Sequence, residues 1–163
     1  DKAGNTPLHV AASHGHWEAL KALSAHGARP CASFAPASLT PLALACSTGR
    51  LAIAQHLVEV VGDAISAVDG AGRSILHHAL DSNSPAVARY VLNRIRNDFP
   101  RPARDGMTCL MLAAKHRQDA LMEELVLACP SQVRHRNTEG WTAADLYRSA
   151  HALERKKNNK VCK

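Results

Sequence analysis

The tripeptide Thr6-Pro7-Leu8 returns as Thr40-Pro41-Leu42, then in weaker form as Ser74-Ile75-Leu76, Thr108-Cys109-Leu110 and Thr142-Ala143-Ala144. The spacing is 34 residues each time and never slips. A fixed period in the thirties is incompatible with one central core. It requires a solenoid, in which each unit buries its apolar face against its neighbours.

The chemistry of one unit says what is stacked. Gly4 supplies the backbone freedom of a tight turn. Thr6 is placed to cap a helix, and Pro7 suits the first helical position, where its missing N–H costs nothing. Leu8, Ala11 and Ala12 then share one helical face, and the alanines keep that face slim. Gly15 can end this helix in a left-handed conformation. A second helix follows with Ala19, Leu20 and Leu23 turned inward, and Gly27 can end it. At the 34-residue shift Leu8 maps to Leu42, Leu76, Leu110 and Ala144. Leu20 maps to Ala54, Ala88, Met122 and Lys156, and Leu23 to Leu57, Val91, Leu125 and Asn159. The apolar column holds through four units and fails in the fifth. The expected organisation is one domain of units at about 1–34, 35–68, 69–102, 103–136 and 137–158, with a basic tail at 159–163. Arg155, Lys156 and Lys157 then replace core residues in a truncated polar cap.

The run Asp1-Lys2-Ala3-Gly4-Asn5-Thr6-Pro7-Leu8-His9, closing through Gly15, Leu20, Leu23, Gly27 and Ala28, resembles a near-complete ankyrin repeat. The resemblance extends at the same period over nearly the whole chain. It implies an all-α solenoid of helix-turn-helix units with short β-turn fingers. In function it implies a non-catalytic protein–protein interaction module without cofactor or metal, and the five widely spaced cysteines point to a reducing, intracellular setting. His9 and His77 fall where the family places a structural hydrogen bond.

Other positions depart from the pattern. Asn83 and Arg117 stand where Gly15 stands. Pro36 and Ser38 make the second turn irregular, so the loop from Pro30 to Leu39 is expected to be a mobile finger. Asn93 to Arg104, with Pro100 and Pro102, is expected to be a second unusual loop. Asp1 begins on the motif itself, so the chain is expected to be a fragment of a longer protein, unless Trp17 and its neighbours cover the open first face.

Composition excludes several classes. No stretch reaches the length of a membrane span. Cys31, Cys46, Cys109, Cys129 and Cys162 are odd in number and lack close spacing, which argues against a disulfide framework or a zinc site. Cys46 aligns with Ala12 and should be a small buried hydrophobe. His77 and His78 with Asp81 make poor metal ligands, because adjacent helical residues point about 100° apart. Phosphate loops, nucleophile elbows and paired carboxylates do not occur.

The net charge of +6 is uneven. Residues 1–88 carry 5 Lys and Arg against 6 Asp and Glu, and residues 89–163 carry 15 against 8. An acidic partner fits that asymmetry. Nucleic-acid contact through Arg155, Lys156, Lys157, Lys160 and Lys163 is the weaker reading, since no aromatic stacking platform accompanies them. A solvated cap explains the same charges.

The free positions of the repeat are where a partner would bind. The fifth turn position reads Asn5, Leu39, Arg73, Met107 and Trp141, three of them large and apolar at a site expected to be exposed. Large aromatics, Met and Arg are enriched at interfaces. The candidate stripe is Arg73, Arg104, Met107, Lys115, His116 and Trp141, suited to a monomer that binds an acidic peptide with an apolar anchor. The competing reading packs Met107 and Trp141 against neighbouring fingers. A module acting in cis on a larger enzyme, channel or transcription factor is the alternative role.

Overall fold

A computed structural model describes residues 4–30, 39–95 and 99–161, with side chains as far as residue 152. The chain divides into two compact units, Asp1–Pro100 and Arg101–Lys163. The described residues are all-α, with a single isolated bridge, Val68 to Ser74, beside one finger.

The first unit holds three helix pairs. They are α1 (Pro7–His14) with α2 (Trp17–Ala25), α3 (Pro41–Ser47) with α4 (Leu51–His56), and α5 (Ile75–Asp81) with α6 (Pro85–Ile95). The first helices stack in series, α1 on α3 and α3 on α5. Their starts follow from local chemistry: Thr40 Oγ1 accepts the Ala43 N–H at 3.2 Å and Ser74 Oγ accepts the His77 N–H at 3.4 Å. The stacked faces are leucine and small residues: Leu8, Leu42 and Leu76 are buried, as are Ala12, Cys46 and Leu80. Each buried leucine contributes about 2–3 kcal/mol over leaving it exposed.

The corners between paired helices need a left-handed residue. Gly15 supplies it at φ 82° and Gly49 at φ 71°, while Asn83 takes the same conformation at φ 54°. The end of the second pair departs from the strict period. The residue aligned with Gly27 is Val61, yet the left-handed residue is Gly62, at φ 78°. One π-helical turn, Leu57–Val61, absorbs the extra residue.

Three expectations are corrected here. Ala19 is exposed and Leu23 half-buried, so only Leu20 of that trio lies fully inside. Trp17 does not cover the open first face. Its ring meets His56 of α4 edge-on at 5.3 Å, and Lys21 lies over it at 5.5 Å. Val10, Ala19, Ala22 and Leu23 instead line an open apolar hollow of about 590 Å³. Asn93 to Ile95 is the last turn of α6 rather than loop. The expected finger at 31–38 lies outside the described residues.

The second unit contains α7 (Cys109–Lys115), α8 (Asp119–Ala128), a 3₁₀ turn at Pro130–Arg134, and α9 (Ala143–Val161). Every residue from Cys109 to Ala114 is buried, because α7 packs against both α8 and α9. Arg117 makes the left-handed corner at φ 54°, and its guanidinium lies 5.8 Å over the Tyr147 ring of α9. The residue aligned with Gly15 in the fifth unit is His151, and α9 runs through it for 19 residues without a corner. The side chains of Arg155, Lys156, Lys157, Lys160 and Lys163 lie outside the described residues. No described helix is long and apolar enough to cross a membrane.

Candidate functional site

The fingers repeat one backbone design. In the first unit the Asp69 N–H donates to the Arg73 carbonyl at 2.9 Å, and the Gly72 N–H donates to the Asp69 carbonyl at 2.9 Å. Ala103, Gly106 and Met107 reproduce the pattern at 2.9 and 2.8 Å, and Asn137, Gly140 and Trp141 at 3.0 and 2.9 Å. The side chains that lock the turns differ. Asp69 Oδ1 accepts the Ala71 and Arg73 N–H groups, each at 2.8 Å. Asn137 Oδ1 accepts those of Glu139 and Trp141, at 3.1 and 2.9 Å. In the middle finger Ala103 has no such group, and Asp105 Oδ1 takes the Met107 N–H at 2.9 Å instead.

Within the second unit the two fingers are tied together. The Thr138 N–H and hydroxyl both donate to the Asp105 carbonyl, at 3.1 and 3.0 Å. Asn137 Nδ2 donates to Met107 Sδ at 3.7 Å. Met107 is therefore half-buried against the neighbouring finger, not freely exposed. Trp141 stands at the end of its finger, 41% exposed. Arg104 is exposed in the turn before α7, while Lys115 and His116 close that helix, seven residues and about 10 Å along its axis. Lys115 is exposed and His116 half-buried. Arg73 belongs to the first unit, where its Nη1 lies 3.4 Å from Asp81 Oδ2. The structure thus brings Met107 and Trp141 onto tied fingers, places Arg104 in the turn before α7 with Lys115 and His116 at the far end of that helix, and leaves Arg73 in a separate unit.

The buried polar groups serve the fold. The Thr6 N–H donates to His9 Nδ1 at 3.1 Å, its hydroxyl lies at 2.8 Å, and His9 Nε2 donates to the Leu39 carbonyl at 3.0 Å. Ser74 and His77 repeat the arrangement at 3.2 and 2.8 Å. Asp145 takes the same place in the fifth unit, accepting the Thr142 N–H at 3.1 Å and hydroxyl at 2.7 Å, bonds that hold its carboxyl below the usual range. His78 Nε2 meets Asp69 Oδ2 at 3.1 Å. Burial lowers the His78 pKa, and the Asp69 charge and hydrogen bond oppose the shift.

Two further groups went unnoticed in the sequence. Asp63 Oδ2 accepts the Leu42 N–H at 2.9 Å, and Gln132 Oε1 accepts the Leu110 N–H at 3.2 Å. Both satisfy a free N–H in the first turn of a helix from a position 21 or 22 residues downstream, Gln132 from within the 3₁₀ turn. Burial raises the Asp63 pKa, against the pull of the Leu42 and Ala64 N–H groups. Burial also pushes the Cys46 thiol up to about 12, with Asp63 adding to it, and raises Cys109. Among the described residues no His, Cys, Asp and Glu gather as metal ligands would.

The ankyrin repeat family model matches residues 3–33. A glycerophosphocholine phosphodiesterase of Schizosaccharomyces pombe is 29% identical over 145 residues, 89% of this chain and 13% of that protein. Neurogenic locus notch homolog protein 4 of Homo sapiens is 35% identical over 102 residues, 63% of this chain and 5% of that protein. The chain spans a small part of the length of both.

Proposed function

Because the chain belongs to the ankyrin repeat family, we propose that it is a non-catalytic, intracellular protein-interaction module whose second-unit fingers bind an acidic peptide or loop with an apolar anchor. The tied finger pair carries the reading. A large aromatic ring stands exposed on a turn fixed by four hydrogen bonds, with Arg104 on the adjacent finger. A preformed turn loses little entropy when a partner seats, so the exposed ring converts efficiently into affinity. Arg104 and Lys115 supply the positive charge, with Met107 as a floor beneath the anchor. Arg73, already facing Asp81, is the least available of the six.

The test is capture of partners by the chain and by its Arg104→Ala/Trp141→Ala variant. A protein retained by the first and lost by the second supports the reading. Equal retention by both sinks it.

The small share of each relative that the chain spans favours a second role, in cis within a larger protein. Binding of a flanking segment of the parent gene, added in trans and lost in the same variant, would support it.

A further inference from the structure

We infer that the groove between α8 and α9 is a second docking site, which takes one amphipathic helix of a partner protein, apolar on its seated face and Lys- or Arg-bearing along its flank. The groove holds about 690 Å³ and is lined by Asp119, Met122, Glu123, Val126, Leu127 and Tyr147. Its shape follows from the missing corner in α9. In the first unit each second helix is met by the next: α4 packs on α6, and α2 reaches α4 through Ser24 Oγ and His56 Nε2 at 2.9 Å. The repeat position of Met122 is filled there by Leu20, Ala54 and Ala88, all fully buried. Among the described residues of the second unit no helix pairs with α9 as a second helix, because α9 continues unbroken through His151. Met122 is left half-exposed, with Val126 at 38% and Leu127 at 83% exposure. The seat is therefore the next step of an interface that the fold has already built, and it is cut for a helix.

The rim selects the helix. Asp119 and Glu123 stand four residues apart on one flank of α8, both exposed. Residues at that spacing are neighbours on a helix surface, so they present a paired negative edge. A helix with leucines at i, i+3, i+4 and i+7 meets the apolar floor, and lysines beside that stripe meet the edge.

The probe is a fluorescently labelled synthetic peptide with that leucine spacing and lysine flanks, titrated by anisotropy. Saturable binding is expected, weakened about tenfold or more by Val126→Glu/Leu127→Glu, since a charge buried on the apolar floor is costly. Both residues are exposed, so the variant should fold, and circular dichroism checks that it does. The same peptide with glutamate flanks should bind poorly to the unaltered chain and regain affinity on Glu123→Lys. The Arg104→Ala/Trp141→Ala variant should bind the lysine peptide undiminished, which separates this site from the fingers. The inference is overturned by a lysine peptide that does not saturate, or by equal binding to Val126→Glu/Leu127→Glu. It is also overturned if sedimentation shows self-association that the same variant abolishes, because the occupant is then a second copy.

Discussion

Replacing Gly106 and Gly140 by alanine, one at a time, separates the cost of a turn from the cost of a contact. Both glycines are left-handed, at φ 73° and 82°, and occupy the same place in adjacent fingers. Alanine in that conformation costs about 1–2 kcal/mol at either position. Their surroundings differ. A Cβ at Gly140 would meet nothing within 4 Å. A Cβ at Gly106 would sit 2.8 Å from Asn137 Cα and 3.0 Å from the Thr138 nitrogen, backbone atoms that cannot rotate away. Relieving that overlap means parting the fingers, at about 1–3 kcal/mol for overpacking. The two Thr138 bonds to the Asp105 carbonyl then weaken, at about 1 kcal/mol each. Gly140→Ala should therefore cost about 1–2 kcal/mol, and Gly106→Ala about 3 kcal/mol or more. Urea unfolding followed by circular dichroism measures the difference. Hydrogen exchange at the Thr138 amide localises it, with protection lost in Gly106→Ala and kept in Gly140→Ala. Two variants within about 0.5 kcal/mol of each other, or a Thr138 amide unchanged in both, would refute the tied-finger geometry.

Other consequences can be checked with the same protein. His77→Ala strips partners from the buried Ser74 N–H and hydroxyl and leaves a cavity, so it should cost about 2–4 kcal/mol in denaturant unfolding; less than about 1 kcal/mol would mean the ring is not the cap. Burial raises the Asp63 pKa, so the folded state binds its proton more tightly than the unfolded chain does. That contribution is complete below the unfolded value of 3.8 and is lost as pH rises through the folded value. Asp63→Asn keeps an acceptor for the Leu42 N–H without the charge, and should gain stability relative to the unaltered chain as pH rises from 3 to 7; a flat or opposite trend counts against the buried carboxylate. Native alkylation followed by mass spectrometry should leave Cys46 and Cys109 unmodified, because both thiols are buried and held protonated. Modification of either at the rate seen in denaturant would contradict that burial.

What the sequence disclosed was what a few neighbouring residues decide. A Thr or Ser cap needs only the N–H three residues on, so Thr40, Ser74, Thr108 and Thr142 all cap as the period implies. His9 and His77 bond within the same turn and were equally legible. Asp145 was not, because its side chain differs in type from His9 and His77, although a carboxylate takes the same two hydrogens. Asp63 and Gln132 escaped for a different reason. They differ in type, stand 69 residues apart rather than a whole number of repeats, and reach across loops whose path no local pattern fixes. Met107 was open to two readings, exposed binding residue or packing against the neighbouring finger, and the approach of Asn137 favours packing. The groove on α8 lies between these cases. Its cause was in the sequence: His151 replaces the residue that turns the corner in every earlier unit, and Ala150 and Ala152 beside it favour a continuing helix. Left-handed backbone is natural to glycine and tolerable for asparagine, but elsewhere it must be held by its surroundings. Arg117 keeps its corner against Tyr147, whereas His151 stays helical, so the turn is not made there and Met122 is half-exposed among the described residues.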